Sequence, residues 1–258
     1  RLSPERAAQV PLAEPVMPHA GDEDAVVFRY RNGKRCAFVT LVSGDYHHGA
    51  RALARSLAKV SDIPLVVMCP PGADVAALAR SGITTVEVPE IINPHTHFGA
   101  TQSRFAATFT KLNAFRLDFL DRAVFVDSDA TVRRPIEHLF DLEGFWAVRD
   151  RGFARELPGF NSGVFAYAPD PAMFDDMMSR VHDLGSNDAG DQGFLNEYLD
   201  VDWHELPASY NATKRLFAAH LKGHPLMSNA RHLDPLKRGA AWLNFARVRC
   251  KRSICGFC

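Results

Sequence analysis

Short apolar runs alternate along the chain with amphipathic stretches of helical period. Ala37–Val42 (AFVTLV) is apolar and rich in β-formers, and Gly44 breaks it. His47–Val60 then sets Ala50, Leu53, Leu57 and Val60 at helical spacing. Ile63–Cys69 (IPLVVMC) predicts a second buried strand, closed by Pro70-Pro71-Gly72; a helix over Ala73–Arg80 and a strand over Ile83–Val88 follow. After the long mixed stretch Pro89–Thr108, the spacing of Leu112, Phe115 and Phe119 predicts a helix over Lys111–Leu120. Ala123–Val126 (AVFV) predicts a buried strand, and Phe145–Val148 and Gly163–Tyr167 predict two more. Helices are expected near Pro171–Leu184 and Asp191–Leu199. Strands and helices alternating at this length indicate an α/β domain with a parallel sheet built from right-handed crossovers.

The flanks read differently. Residues 1–33 carry Pro4, Pro11, Pro15 and Pro18 with little periodicity, which predicts an extended arm with one short strand around Val26–Tyr30. The domain is expected over 34–245, and 246–258 is a basic tail holding Cys250, Cys255 and Cys258. Three cysteines without a fourth ligand are a poor zinc site. Cys36 and Cys69 fall in apolar runs, where a small buried hydrophobe is expected.

Charge narrows the function. Lys and Arg number 30 in the 258 residues, balanced by 30 Asp and Glu, which speaks against a general nucleic-acid or polybasic membrane binder. The balance is a sum of unlike parts: residues 1–24 are acidic and 231–252 strongly basic. No apolar run approaches the roughly 20 residues that span a bilayer. The chain starts at Arg1 without a Met, so a trimmed segment is expected. That points to the cytoplasm, or to the Golgi and secretory route if an N-terminal anchor was removed.

The sharpest chemical feature is Ala123-Val-Phe-Val-Asp127-Ser-Asp129. Ligands of α/β sheets sit outside the carboxyl ends of the strands, and two carboxylates one residue apart there can face one crevice. With no cationic neighbour in the motif, they repel and favour a divalent cation. The structural alternative is that Asp129 caps a short helix at Ile136–Phe140 or an intervening turn. Phe160-Asn161-Ser162-Gly163-Val164-Phe165 sets polar groups ahead of an apolar strand; alone it is an ordinary turn. Asp188-Ala-Gly190-Asp191-Gln192-Gly193 puts carboxylates and an amide at a helix start, where Asp191 could be a plain N-cap.

Taken in order, these segments resemble glycosyltransferase family 8, the relatives of glycogenin and galactinol synthase with a GT-A fold. Ala37-Phe-Val-Thr-Leu41 looks like the family's opening strand, Thr110-Lys111-Leu112 its T-K-L element and Asp127-Ser-Asp129 its D-x-D. Phe160–Phe165, Gly190–Asn196 (GDQGFLN) and Leu206-Pro-x-x-Tyr210-Asn211 are similar to three further family elements. The resemblance implies a single Rossmann-like domain with a mostly parallel, mixed central sheet flanked by helices. It implies retaining transfer of a hexose from a UDP-sugar to a carbohydrate, polyol or glycoconjugate acceptor, with Mn²⁺, or alternatively Mg²⁺, held by Asp127, Asp129 and His232. Leu41, Ser43, Tyr46 and Ser128 would line the nucleotide, and Arg104, Lys111 and Lys237 would lie by its diphosphate. Asn161, Ser162, Asp188, Asp191 and Gln192 would bind the donor sugar, with Asp191 and Gln192 closest to the chemistry. Lys237 follows His232 at the family's shorter spacing, but the Pro-Trp that normally ends the motif is absent. No tyrosine occurs in Ala212–Leu221, so a separate acceptor is expected rather than self-priming. A homodimer is left open.

Two rival readings exist. Asp127-Ser-Asp129-Ala-Thr131 fits the D-x-D-x-T signature of haloacid-dehalogenase phosphatases, although that signature usually opens its domain. An inactive nucleotide-sugar-binding module is the non-enzymatic rival. A dinucleotide-binding dehydrogenase lacks support, since no G-x-G-x-x-G follows the first strand. Asn211-Ala-Thr213 is a glycosylation sequon, but it overlaps the Y-N element and is expected to serve the fold.

Overall fold

The computed structural model describes residues 28–42, 47–95, 107–150 and 159–212. Most of the expected N-terminal arm and all of the cysteine tail lie outside them. The strands are β1 (Arg29–Arg31), β2 (Lys34–Leu41), β3 (Leu65–Cys69), β4 (Thr84–Glu87), β5 (Arg122–Val126), β6 (Trp146–Arg149), β7 (Phe160–Tyr167) and β8 (His204–Leu206). The helices are α1 (His47–Leu57), α2 (Val75–Ala79), α3 (Pro171–Arg180) and α4 (Asp191–Leu199). One sheet runs in the order β4-β3-β2-β5-β7-β6-β8, with β1 paired to β2.

The pairing of β2 with β3 and β5, and of β3 with β4, is parallel. β7 returns antiparallel between β5 and β6, and β8 joins β6 in parallel. The sheet is thus mixed. Alternation along each strand separates two cores, as a period of two requires. Ala37, Val39, Ala123, Phe125, Phe165 and Tyr167 face one side, under α3 and α4. Cys36, Phe38, Val124, Val126, Val164 and Ala166 face the other, under α1 and α2. Cys36 and Cys69 are buried and unpaired, as their apolar surroundings suggested.

Three elements differ from expectation. β1 is only three residues long and hairpins onto β2 through Asn32-Gly33, both at positive φ; Asn-Gly is the sequence signal for such a turn. The helix expected over Lys111–Leu120 is a 3-10 helix over Thr108–Arg116. Phe109, Leu112 and Phe115 recur every third residue, and side chains at that spacing eclipse in a 3-10 turn. β8 was not anticipated, because His204-Glu205-Leu206 is short and polar at two of its three positions. No helix among the described residues is long and apolar enough to cross a membrane.

The sheet is pinned at its base by Arg35 and Asp121. Arg35 donates to the Asp121 carboxylate from its backbone N–H at 2.7 Å, Nε at 3.0 Å and Nη2 at 2.9 Å. These donors hold the Asp121 carboxyl down at about 2. A depressed carboxyl stabilises the fold above its unfolded pKa and loses that contribution as acid protonates it. The Arg35–Asp121 contribution should therefore disappear between about pH 4 and pH 2. Asp121→Asn should cost about 0.5–1 kcal/mol at neutral pH and nothing at pH 2, as read by urea unfolding of both chains at each pH.

α1 begins against the D-x-D loop. A Cβ on Gly49 would fall against the carbonyl oxygen of Ser128, well inside van der Waals contact. In an open helix, Gly→Ala gains about 1 kcal/mol. At Gly49 the backbone clash should reverse that sign. Gly49→Ala is expected to lower the urea midpoint, while Gly185→Ala, in open space, should not.

Candidate active site

β2, β3, β4 and β5 are parallel, so their carboxyl ends share one edge of the sheet. β7 runs the opposite way, which brings its first residues to that same edge: Asp127 N–H donates to Gly163 O at 2.8 Å. The D-x-D and F-N-S-G segments are therefore neighbours because the sheet reverses direction between them. α4 adds the third segment. The amide of Asn196 brackets the Phe160 backbone, accepting from its N–H at 2.7 Å and donating to its carbonyl at 2.8 Å. A Cβ on Gly159 would collide with that amide, so the glycine is required there.

Lys111 lies at the centre. Its ammonium is 3.0 Å from Asp127 Oδ1 and 2.9 Å from Asp191 Oδ2. It also sits 3.2 Å from the Ser162 carbonyl and 5.0 Å from the centroid of the Phe125 ring. The Lys111 and Asp191 side chains are 9% and 11% exposed, whereas Asp127 keeps 32%, so Asp127 is the member of the chain open to a ligand. Burial works against the Lys111 charge, but Asp127 and Asp191 outweigh it and raise the pKa above the usual lysine value. Burial pushes the Asp127 carboxyl up to about 6; Lys111 opposes this, and the negative charges of Asp191 and Asp129 add to it.

Neither Asp129 nor Asp191 caps a helix, although Asp129 lies in a turn. The short 3-10 helix Glu137–Asp141 is preceded by Ile136, with no side-chain cap. Asp191 lies inside α4 after Gly190 and makes no capping bond; it accepts instead from Lys111 and from Ser162 Oγ at 2.8 Å. Asp188 is the residue that behaves as a cap. Its Oδ1 accepts from Ser186 Oγ and from the N–H groups of Gly190 and Gly193. Gln192 is held at both ends, accepting from Ser162 N–H at 3.3 Å and donating to Asp150 Oδ2 at 2.7 Å. Asn161 Oδ1 accepts from Gly163 N–H and from Asn211 Nδ2. Asn211 is 1% exposed with that nitrogen engaged, which suits a structural residue and leaves no room for a glycan.

Leu41 ends β2 at this edge and Ser128 is half-buried beneath Gly49. Lys111 turned out to be a bridge between carboxylates, with its ammonium enclosed by protein. Asp150 was missed by sequence reasoning; its position just past the end of β6 was the available signal. Ser43, Tyr46, Arg104, His232 and Lys237 lie outside the described residues.

The donor set suits a divalent cation in part. Asp127, Asp129 and Asp191 gather negative charge, and Lys111 is the cation that meets two of them. Two carboxylates one residue apart provide half of a coordination shell. Among the described residues no group of three His, Cys, Asp or Glu completes it, so a further ligand must come from elsewhere.

Comparison with known proteins agrees with this geometry. A family model described as glycosyl transferase family 8 matches residues 38–230. Glycogenin-1 of Caenorhabditis elegans is 31% identical over 195 residues, covering 70% of this chain and 44% of that protein. Galactinol synthase 2 of Solanum lycopersicum is 26% identical over 221 residues, covering 71% and 65%. Inositol phosphorylceramide glucuronosyltransferase 1 of Arabidopsis thaliana is 32% identical over 169 residues, covering 64% and 30%. The chain thus spans between about a third and two thirds of the length of these relatives. Among solved structures, the galactosyltransferase LgtC with donor and acceptor sugar analogs superposes at TM-score 0.55 and 18% identity, covering 81% of this chain and 86% of that one. The glycosyltransferase GlyE of Streptococcus pneumoniae gives TM-score 0.52 at 17% identity, covering 81% and 53%. The family match takes in the D-x-D together with F-N-S-G and G-D-Q-G, two segments for which the phosphatase reading has no place. With a GT-A sheet and those segments gathered at one edge of it, the chain belongs to glycosyl transferase family 8.

Proposed function

We propose that this domain is a metal-dependent, retaining glycosyltransferase that moves a hexose from a UDP-sugar to a hydroxyl of a separate acceptor. The carrying observation is the Lys111 bridge, which sets the D-x-D carboxylate and Asp191 on either side of one buried ammonium. Asp127, Asp129 and His232 would hold the cation, Mn²⁺ by preference and Mg²⁺ as its substitute. When bound, it supplies Lewis-acid neutralisation of charge on the departing UDP.

This chain's own groups do the rest. Leu41, Ser43, Tyr46 and Ser128 line the nucleoside, while Arg104 and Lys237 add positive charge near the diphosphate. Asn161, Ser162, Asp188 and Gln192 serve the donor sugar. Lys111 and the Ser162 hydroxyl both bind Oδ2 of Asp191, which fixes that carboxylate and leaves Oδ1 for the sugar. As the bond from the anomeric carbon to UDP breaks, its electron pair leaves with the phosphate oxygen. Asp191 serves retention as nucleophile of a double displacement or as the anion that stabilises the cationic sugar during front-face attack. In either route the acceptor hydroxyl bonds to the anomeric carbon and its proton passes to the departing phosphate. The absence of tyrosine from Ala212–Leu221 supports a separate acceptor.

Two substitutions test the assignment in a mixture of Mn²⁺ with a panel of UDP-sugars. Asp129→Ala should abolish the Mn²⁺-dependent part of UDP affinity in calorimetric titration, and an unchanged titration would remove the D-x-D from metal binding. Asp191→Asn should lower sugar release or transfer by about 100-fold or more while UDP affinity is kept. Equal turnover in mutant and parent would exclude Asp191 from the reaction. No turnover of any UDP-sugar by the parent, with UDP still bound, would favour the inactive binding module.

A further inference from the structure

A cavity of about 550 Å³ lies against α4, with Gly193, the residue after Gln192, in its lining. Its volume lies within the roughly 300–1,000 Å³ of small-molecule sites. One wall is a single face of α4: Gly193, Asn196, Glu197 and Asp200 recur at helical spacing along it. The opposite wall is the end of β6 and the segment entering β8, with Arg149, Trp203 and Glu205. Arg149 is fixed there, donating from Nε to Glu205 Oε2 at 2.9 Å with its guanidinium carbon 5.2 Å from the Trp203 ring centroid.

The next residue after Arg149 is Asp150, which accepts from Gln192 at 2.7 Å. Two lining residues, Arg149 and Gly193, are thus each next in sequence to one partner of that bond. Among the described residues the lining carries Glu197, Asp200 and Glu205 beside Arg149, a set richer in hydrogen-bond acceptors than an anion site. It offers carboxylates that accept from hydroxyls, a fixed guanidinium that donates, and an indole for C–H surface. That mixture matches a neutral polyhydroxyl molecule. The rim also carries Val201, 78% exposed, next to Asp200 at φ 47 and ψ −100. A non-glycine residue held there marks stored strain beside the cavity.

We infer that this cavity is a saccharide subsite for a neutral glycan acceptor, holding sugar units behind the one that receives the new bond. The inference rests on the glycosyltransferase reading for its role, but binding at the cavity can be measured without it. The acidic lining would disfavour uronate or phosphate groups at these units.

The test is saturation-transfer NMR and calorimetry on the full chain, without UDP or metal. The probes are maltotriose, xylotriose, cellotriose and galactotriose, with trigalacturonic acid and spermidine as charged controls. At least one neutral trisaccharide should bind, and trigalacturonic acid should not. Trp203→Ala should weaken binding about tenfold, the loss expected for one good ring contact plus the freed guanidinium. Because Trp203 also packs on the core, the exposed variant Glu197→Lys provides the second arm, with a loss of about fivefold for a charged hydrogen bond. UDP affinity measured in parallel with Mn²⁺ should be the same in parent and both variants. Failure of every neutral probe to bind, binding of a charged control alone, or equal affinity in parent and Glu197→Lys would overturn the inference. Glycan binding that holds in a chain unable to bind UDP would instead overturn the donor reading and leave the cavity standing.

Discussion

The ammonium of Lys111 is buried among Asp127, Asp191 and the Ser162 backbone, above the face of Phe125, and the arrangement of the edge follows from that placement. Taking an ammonium out of water costs several kcal/mol, and one carboxylate rarely repays it. Two carboxylates, a carbonyl and an aromatic face together do. The reverse also holds, since Asp191 is nearly as buried as Lys111 and meets its ammonium at 2.9 Å. Removing one partner from such a group costs about 3–5 kcal/mol, because the remaining charges stay buried. The bridge therefore binds together three separate parts of the chain: the 3-10 helix that carries Lys111, the end of β5 and the first turn of α4.

That convergence depends on direction in the sheet. In a wholly parallel sheet, the first residue of each strand lies at the opposite edge from the last residue of its neighbour. β7 is antiparallel to β5, so Phe160–Ser162 begin where Val126 ends. α4 then packs on β7 through the Asn196 amide and the Ser162–Gln192 bond, which fixes Asp191 against Lys111. The Gly159, Ser162, Gln192 and Asn196 contacts make F-N-S-G and G-D-Q-G-x-L-N one interlocked unit. Some of their residues have to be what they are for backbone reasons alone.

The chain's order of strands and helices was legible because apolar runs of period two and amphipathic runs of helical period are each local. β2, β3, β5, α1, α3 and α4 all fall where those patterns put them. What could not be read was pairwise. Nothing in Thr110-Lys111-Leu112 says that the lysine meets Asp127, because the contact is set by a sheet the motif does not contain. The 3-10 helix was read as α-helical because Leu112, Phe115 and Phe119 also fit a period of 3.6. The fully buried Phe109 breaks the tie toward a period of three. From the sequence, Asp188 and Asp191 both fall to the donor sugar, and only Asp191 reads as a candidate N-cap. Asp188 turns back onto the N–H groups of Gly190 and Gly193, and Asp191 turns inward, a difference decided by two backbone donors on one side and the Lys111 ammonium on the other. Asp150 was invisible because it belongs to no motif and acquires meaning only from the Gln192 amide.

Neutral overall composition conceals a local surplus of negative charge. At the described edge, Asp127, Asp129 and Asp191 crowd one another, and the mutual repulsion adds to burial in pushing the Asp127 carboxyl up to about 6. A nucleotide diphosphate approaching these groups brings further negative charge into a site of low dielectric, where unscreened repulsion between like charges is large. Lys111 cannot relieve it, since its ammonium is already shared between two carboxylates and enclosed. Binding a diphosphate there thus requires positive charge from outside this group of residues, either a divalent cation seated on the D-x-D pair or basic side chains brought up from another segment. A divalent cation answers both needs at once, because it attracts the phosphates and lowers the repulsion between Asp127 and Asp129. A basic side chain can do only the first while its own burial opposes it. On the function proposed above, the acidic edge would receive a metal–diphosphate pair rather than the nucleotide alone.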